Sequence, residues 1–264
     1  MGKVVPERKA CIGVLGLLAL WQGASWVFPS RLVPPPLTTI SLFFRLVPQT
    51  LLFHLSASLG RTFLSVVASV LLALPLGILL GRSHRLDRIL TPLVYILYPV
   101  PKIAFLPVFM ILLGIGNVAK IALVSTVIFF QIVIILRDEV RELPQEQIEV
   151  VTVYGGKGWE VARFILLPAS LGGVFSALRL ASGTSRAVLF FAETFFTRWG
   201  LGYFIMDAWS RMDYPRMYAG IIALGVAGWI LFVGIDRLEH ILRPYKQLGE
   251  PWGPADGADP LIDT

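Results

Sequence analysis

The chain has 264 residues, of which 56% are hydrophobic and only 15% are charged. Because a soluble domain carries about 25% charged residues, this composition excludes an ordinary soluble protein and indicates that lipid is the main solvent. The net charge of +6 does not indicate a nucleic-acid partner, because the basic residues lie in short clusters at the ends of apolar runs, where membrane topology places them.

Apolar runs along the chain predict an all-α membrane protein with about six spanning helices. The first run contains 19 residues without a charge. That is too long for the core of a signal peptide and close to the ~20 residues that cross a bilayer. The six spans are predicted at 10–28, 60–81, 89–113, 117–136, 169–196 and 217–236.

Clusters of lysine and arginine predict how these spans are oriented. They lie before the first span and after the second, fourth and sixth. Since positive charge accumulates on the cytoplasmic side, both termini are predicted to be cytoplasmic, although arginines in the external loops weaken the asymmetry. The external loop 29–59 is expected to contain a helix at the membrane surface from Ile40 to Leu52.

The third predicted span contains an unusual number of proline residues. Pro99, Pro101 and Pro107 fall within it, together with Lys102. A proline removes a backbone donor and kinks a helix, which is tolerated where protein or a water-filled cavity satisfies the freed carbonyl. The span is therefore either a kinked packing helix or a border of a translocation path, along which Pro99, Pro101 and Lys102 are the candidates.

The longest polar interruption facing the cytoplasm lies between the fourth and fifth spans. Its sequence predicts a short helix from Glu146 to Val153, a turn at Gly155 and Gly156, and a second helix from Trp159 to Leu166 that enters the membrane. We call this compact helix–turn–helix segment, residues 145–165, the knob. It is either an ordinary structured loop or a surface that binds a soluble partner.

The spacing of residues in this loop carries a family resemblance. Glu149, Gly155, Ile165, Leu167 and Pro168 follow the pattern E-A-A-x3-G-x9-I-x-L-P, with Val150 and Val151 in place of the two alanines. This resembles the cytoplasmic loop signature of the permease subunits of binding-protein-dependent ABC importers. The resemblance implies that residues 145–165, including Gly156 and Trp159, form a coupling helix that docks in a groove of an ATP-hydrolysing subunit.

Further stretches resemble the nitrate/sulfonate/taurine branch of these permeases. They are the third-span region from Pro99 to Lys120 and the motifs LRLASG, AET, GLGYFI and DYPRMYAG, which begin at residues 178, 192, 200 and 213. The resemblance implies a type I importer permease fold in a bacterial inner membrane, with the core at 55–243. Residues 1–54 would then hold the first span and its periplasmic connection, and the Pro-, Gly- and Asp-rich residues 244–264 a disordered cytoplasmic tail.

The same resemblance implies partners and a substrate class. The expected assembly contains a second copy of this chain, two cytoplasmic ATPase subunits and a periplasmic or lipid-anchored substrate-binding protein. The expected substrate is a small solute, such as the anions nitrate, alkanesulfonate, taurine or bicarbonate. ATP and magnesium are expected on the ATPase, because this sequence contains no phosphate-binding loop. Neither a cofactor, a metal site nor a catalytic residue is expected in this chain.

Three charged residues recur at intervals of seven in the fifth predicted span. Seven residues make nearly two helical turns, so Arg179, Arg186 and Glu193 are expected on one face. Charges at this depth should face protein or water rather than lipid. Two interpretations remain open: a buried network in which Arg186 pairs with Glu193 or with a partner subunit, and a translocation path in which Arg186 attracts an anion.

Two other classes of function are weighed against an ATP-driven permease. A secondary transporter driven by an ion gradient would show an inverted repeat and several carboxylates in the membrane, and the sequence offers no such repeat and only Glu193. A membrane-embedded enzyme is disfavoured, because no grouping of residues typical of catalysis is present.

Overall fold

A computed structural model describes residues 7–29 and 32–242 of the chain, with the side chains of 7–11 excluded. The predicted tail at 244–264 lies outside the described residues. Every regular element within these ranges is helical, which confirms the predicted all-α class. The α-helices are α1 (Glu7–Val27), α2 (Pro36–Leu46), α3 (Leu52–Arg82), α4 (His84–Leu97), α5 (Leu106–Leu113), α6 (Asn117–Glu142), α7 (Gln145–Val153), α8 (Gly158–Val161), α9 (Leu167–Thr194), α10 (Leu201–Ser210) and α11 (Tyr214–Leu242).

Four helical runs in the described part of the chain are long and apolar enough to cross a membrane. They are Pro36–Arg82, Asn117–Glu142, Gly158–Thr194 and Tyr214–Leu242, and the bent pair formed by α4 and the segment Lys102–Leu113 makes up to five. The first predicted span corresponds to α1, whose described apolar part, Ile12–Val27, is shorter than these runs. Helices therefore cover all six predicted spans within the described residues, and four of them, or five with the bent pair, are long and apolar enough to cross a membrane.

The second span extends further than the sequence predicts. The helix expected at 40–52 is part of a longer run, because α2 continues through a π-helical turn, Val47–Leu51, directly into α3. Pro48 lies in this turn, and its missing N–H removes the donor that an α-helical turn would use. The predicted helix at 40–52 is therefore present but continuous with the second span, and its position at the membrane surface stays a prediction.

The third span is a broken helix rather than a kinked one. The helix α4 and the segment Lys102–Leu113, which joins a 3₁₀ turn to α5, meet at an angle of 86°. Pro99 and Pro101 cannot donate backbone hydrogen bonds, and Pro101 adopts an extended conformation at the break. The Lys102 ammonium group donates to the carbonyl oxygens of Leu97 and Tyr98 at the end of α4, and the Leu97 oxygen also accepts from the Val100 amide at 3.3 Å.

The centre of the bundle is α6, which packs most extensively against α3 and α9. Its close approach to α3 depends on small residues, since a Cβ added at Gly77 would lie 2.6 Å from Leu136 Cβ. Serines also join these two helices, because Ser69 Oγ donates to the Ser125 carbonyl oxygen at 2.9 Å. Large apolar side chains such as Ile111 are exposed on the outside of the bundle, as lipid contact requires.

Candidate functional site

The loop between α6 and α9 has the predicted helix–turn–helix form. The first helix, α7, ends at a turn in which the Gly155 and Gly156 amides donate to Thr152 and Val151 carbonyl oxygens at 3.0 and 2.9 Å. Gly155 has φ of +80°, a conformation that glycine adopts without strain. The next helix, α8, begins after Lys157, whose amide donates to Glu160 Oε2 at 2.9 Å.

This knob is anchored on one side and open on the other. Ile148 and Val161 are buried in an apolar cluster with Val140 at the end of α6 and Leu166 at the start of the fifth span. The opposite side presents exposed residues, among them Glu149, Val150 and Trp159, with Trp159 67% exposed. A buried anchor beneath an exposed apolar tip is an arrangement suited to docking.

The knob continues into the membrane without a break in helical structure. From α8 the chain passes through a π-helical turn, Ala162–Leu166, into α9. Pro168 lies at the start of α9 and lacks the donor that an ordinary α-helical turn would use there. Ile165 is partly buried against the anchoring cluster, Leu167 is partly buried, and Pro168 is exposed. The second half of the knob and α9 therefore form one continuous helical run, Gly158–Thr194.

An ionic cluster that sequence analysis did not identify lies at the same end of α6. The Asp87 carboxylate on α4 accepts hydrogen bonds from Arg137 Nε at 2.7 Å and from Arg141 Nη1 at 2.6 Å. These two arginines form the basic cluster after the fourth predicted span, which the sequence pattern uses only as an indicator of topology. The cluster joins the first half of the broken span to α6 next to the knob. The sequence feature that could have indicated it is the acidic residue in the first turn of α4.

The three charges on α9 lie on one side of the helix but have separate partners. Arg179 Nε donates to Asp236 Oδ1 on α11 at 2.8 Å, and a second nitrogen contacts Glu239. Arg186 Nε donates to the Ser182 carbonyl oxygen at 2.7 Å. The Arg186 guanidinium group lies where a side chain on Gly228 of α11 would stand.

Glu193 pairs with Arg61 of α3, with Nη1 and Oε1 2.5 Å apart, so the interpretation that pairs it with Arg186 is wrong. Ser58 Oγ donates to both oxygens of the same carboxylate at 2.8 Å, and the Gly202 amide donates at 2.9 Å. Only 1% of the Glu193 side chain is exposed. We call the group formed by Ser58, Arg61, Glu193 and the Gly202 amide the clasp.

The clasp holds the connection between α9 and α10 against α3. The Leu201 amide donates to Ser58 Oγ at 2.9 Å. His54 Nδ1 lies 3.0 Å from the Gly200 carbonyl oxygen and 3.1 Å from the Gly200 amide nitrogen. Gly200 has φ of +148° and lies against the Glu193 carboxylate, where a Cβ would collide with it. Sequence reasoning missed Arg61, since nothing local marks a partner 132 residues away from Glu193.

Two of the remaining path candidates, Pro101 and Lys102, line a cavity of about 420 Å³ between the broken span, α6 and α9, which we call the central cavity. Pro99, the third candidate, does not line it. Successive residues of an α-helix are rotated by about 100°, so the lining residues Thr184, Ala187, Val188 and Phe191 are on the side of α9 opposite Arg186 and Glu193. The structure therefore does not bring Lys102 and Arg186 into one site.

Comparison with known proteins decides the family. Residues 73–246 match the protein family described as binding-protein-dependent transport system inner membrane component. The chain belongs to this family. It is a permease subunit of the nitrate/sulfonate/taurine type, a multi-pass component of the inner membrane. The family resemblance and the predicted function as the permease of an ATP-driven importer are confirmed. The alternative of a secondary transporter is therefore set aside.

Individual related permeases align with most of this chain. The taurine transport system permease protein TauC of Escherichia coli is 31% identical over 89% of this chain and 88% of its own length. The bicarbonate transport system permease protein CmpB of Synechocystis is 28% identical over 92% and 90%. Among solved structures, the inward-facing MetNI methionine ABC transporter is similar with a TM-score of 0.63 at 21% identity, covering 73% of this chain and 95% of that one. This likeness confirms the permease fold.

Proposed function

We propose that two copies of this permease form a translocation path that is opened and closed by two ATPase subunits. A substrate-binding protein delivers a small anion to the external side, and ATP and magnesium are held by the ATPase subunits rather than by this chain. The observation that carries this proposal is the knob at 145–165, which is anchored by buried side chains, apolar at its exposed tip and continuous with α9.

The knob is proposed to act as the coupling helix. The exposed surface of Glu149, Val150, Gly155 and Trp159 would enter a groove of the ATPase, while Val151 and Gly156 maintain the turn behind it. Gly156 supports this division of roles, because a Cβ there would lie 2.5 Å from Val151 Cγ1. Closure of the ATPase pair would displace the knob and, through α9, the membrane bundle. Such a movement switches access from one side to the other.

The proposed orientation places the knob and both termini in the cytoplasm. The ionic cluster of Asp87, Arg137 and Arg141 lies at the same end of α6 as the knob. An excess of lysine and arginine at this end agrees with a cytoplasmic position. The clasp then lies at the opposite, external end, where it holds the loop between α9 and α10 that a binding protein would approach.

The substrate is proposed to be a small anion. The names of related permeases specify taurine, bicarbonate and nitrate, each a small solute with at least one negatively charged group. Lys102 supplies a positive charge at the central cavity, in keeping with such a substrate. Arg186 is a second cationic candidate on the other side of α9.

Purification and transport test this proposal together. The permease should co-purify with an ATPase in equal amounts, and vesicles holding the complex and the binding protein should accumulate an anion only when ATP is supplied. An ionophore that dissipates ion gradients should leave this uptake unchanged. Uptake that needs no ATP and stops when the gradients are dissipated would contradict the proposal.

A further inference from the structure

The central cavity combines one positive charge with a lining that is mainly apolar. It lies where α4 ends at the break of the third span, against α6 and α9, and measures about 420 Å³. Gln131 of α6 lines it roughly 21 Å from Asn117 and roughly 16 Å from Glu142, at 1.5 Å per residue. The cavity is therefore close to the middle of the membrane, at the depth a permeating solute must cross.

Lys102 is the charge available in this cavity. Two of its three ammonium donors go to the Leu97 and Tyr98 carbonyl oxygens, which leaves one donor. The nitrogen lies 5.3 Å from the centre of the Tyr98 ring and 4.8 Å from that of Phe130. Within the described residues, no carboxylate lies within 4 Å of it. Backbone and aromatic contacts thus hold this cation in place without neutralising it.

Apolar groups make up most of the remaining wall. Val127 of α6, Val188 and Phe191 of α9 and Ile103 beyond the break all face the cavity. An inorganic oxyanion would fill a small part of this volume and would remain strongly hydrated beside side chains that cannot hydrogen-bond to it. A cavity of this size suits an organic molecule, whose aliphatic part gains free energy from contact with such a wall.

One buried acceptor adds a second polar point. Gln131 Oε1 is shielded from solvent and has no hydrogen-bond partner in the described part of the chain. Buried polar atoms of this kind ordinarily have a partner, since leaving one unsatisfied costs about 1–3 kcal/mol. A rotation of the Gln131 side chain toward the cavity would let this oxygen accept a hydrogen bond from an N–H or O–H group on the solute, or from a water that enters with it.

We propose that this cavity is a transit site for a short-chain organic anion, with the anionic head at Lys102 and the aliphatic chain against Val127, Val188 and Phe191. The inference rests on the proposed function and narrows its substrate class. Organic sulfonates and carboxylates are accepted, whereas bare inorganic oxyanions such as nitrate pass without being held. Lys102 therefore both caps the broken helix and attracts the solute.

Cysteine protection tests this inference without measuring transport. Cys11 is the single cysteine of the chain, so Cys11→Ser provides a background into which Ala187→Cys places one thiol on the cavity wall. The complete permease–ATPase complex in lipid nanodiscs is treated with a small thiosulfonate reagent. The probes are butanesulfonate or nitrate at equal ionic strength, and Leu180→Cys on an exposed part of the same helix serves as control.

Butanesulfonate should slow modification of the thiol at 187 by at least about threefold, nitrate should not, and Leu180→Cys should respond to neither. Adding Lys102→Met should abolish the protection, whereas Lys102→Arg should retain it. Equal protection by nitrate, or none by butanesulfonate, would overturn the inference and leave ATP-driven transport untouched. A thiol that is blocked in nanodiscs but reactive in detergent, whatever the anion, would show that a lipid chain occupies the cavity and would equally overturn it.

Discussion

Glu193→Gln is the substitution whose effect on stability follows most directly from the geometry. The carboxylate accepts hydrogen bonds from Ser58, Arg61 and the Gly202 amide, and only 1% of it is exposed. Its neutral replacement leaves the Arg61 guanidinium buried with its remaining bond to Asn117 Oδ1 at 2.9 Å. Removing one partner of a buried ion pair costs about 3–5 kcal/mol.

This loss is large enough to measure as a shift in melting temperature. For a domain of comparable size, 1 kcal/mol shifts the melting temperature by about 2–4 °C, so the variant should melt roughly 6–20 °C lower. The assay is thermal unfolding of the purified permease, monitored by size-exclusion chromatography after heating. Arg211→Ala removes the exposed pair with Asp207 and should leave the melting temperature unchanged.

A double-mutant cycle separates the ion pair from other effects. Arg61→Met combined with Glu193→Gln removes both charges, so the double variant should be no less stable than Glu193→Gln alone. If the two single losses simply add, or if Glu193→Gln melts within about 2 °C of the wild type, the clasp does not hold the α9–α10 connection as argued.

Three further substitutions test other contacts. Gly77→Val places a side chain against Leu136, so α3 and α6 must separate, and the permease should lose most of its folded yield in chromatography; a normal yield would contradict the close packing. Asp87→Asn weakens the bonds from two arginines and should cost about 1.5–3 kcal/mol in thermal unfolding, with an unchanged melting temperature as the opposing result. Arg186→Ala should reduce anion uptake while assembly with the ATPase remains normal; unchanged uptake of every substrate would remove Arg186 from the path.

The sequence predicts the elements of this fold well wherever the signal is local. Hydropathy places the long spans, and the glycine pair at 155 and 156 places the turn in the knob. The 86° break could not be predicted as well, because Pro99 and Pro101 indicate that the helix is disturbed but do not determine the direction in which the chain continues. That direction depends on packing against α6 and on the carbonyl groups that Lys102 satisfies.

Contacts between distant residues account for what the sequence could not predict. The seven-residue spacing correctly placed Arg179, Arg186 and Glu193 on one face. It could not indicate that Glu193 meets Arg61, which is on another helix and has no local signature. Pairing of this kind depends on which helices become neighbours, and a single sequence carries no direct record of that.

The ratio of ATP hydrolysed to anion transported tests the central claim, that the knob at 145–165 couples this permease to its ATPase. Glu149 is exposed on the knob, so Glu149→Arg should leave the helices inserted and the melting temperature unchanged. In vesicles holding the full complex, this variant should transport several-fold less anion per ATP hydrolysed, whereas Arg211→Ala should retain the wild-type ratio. An unchanged ratio for Glu149→Arg, with normal assembly, would contradict the account.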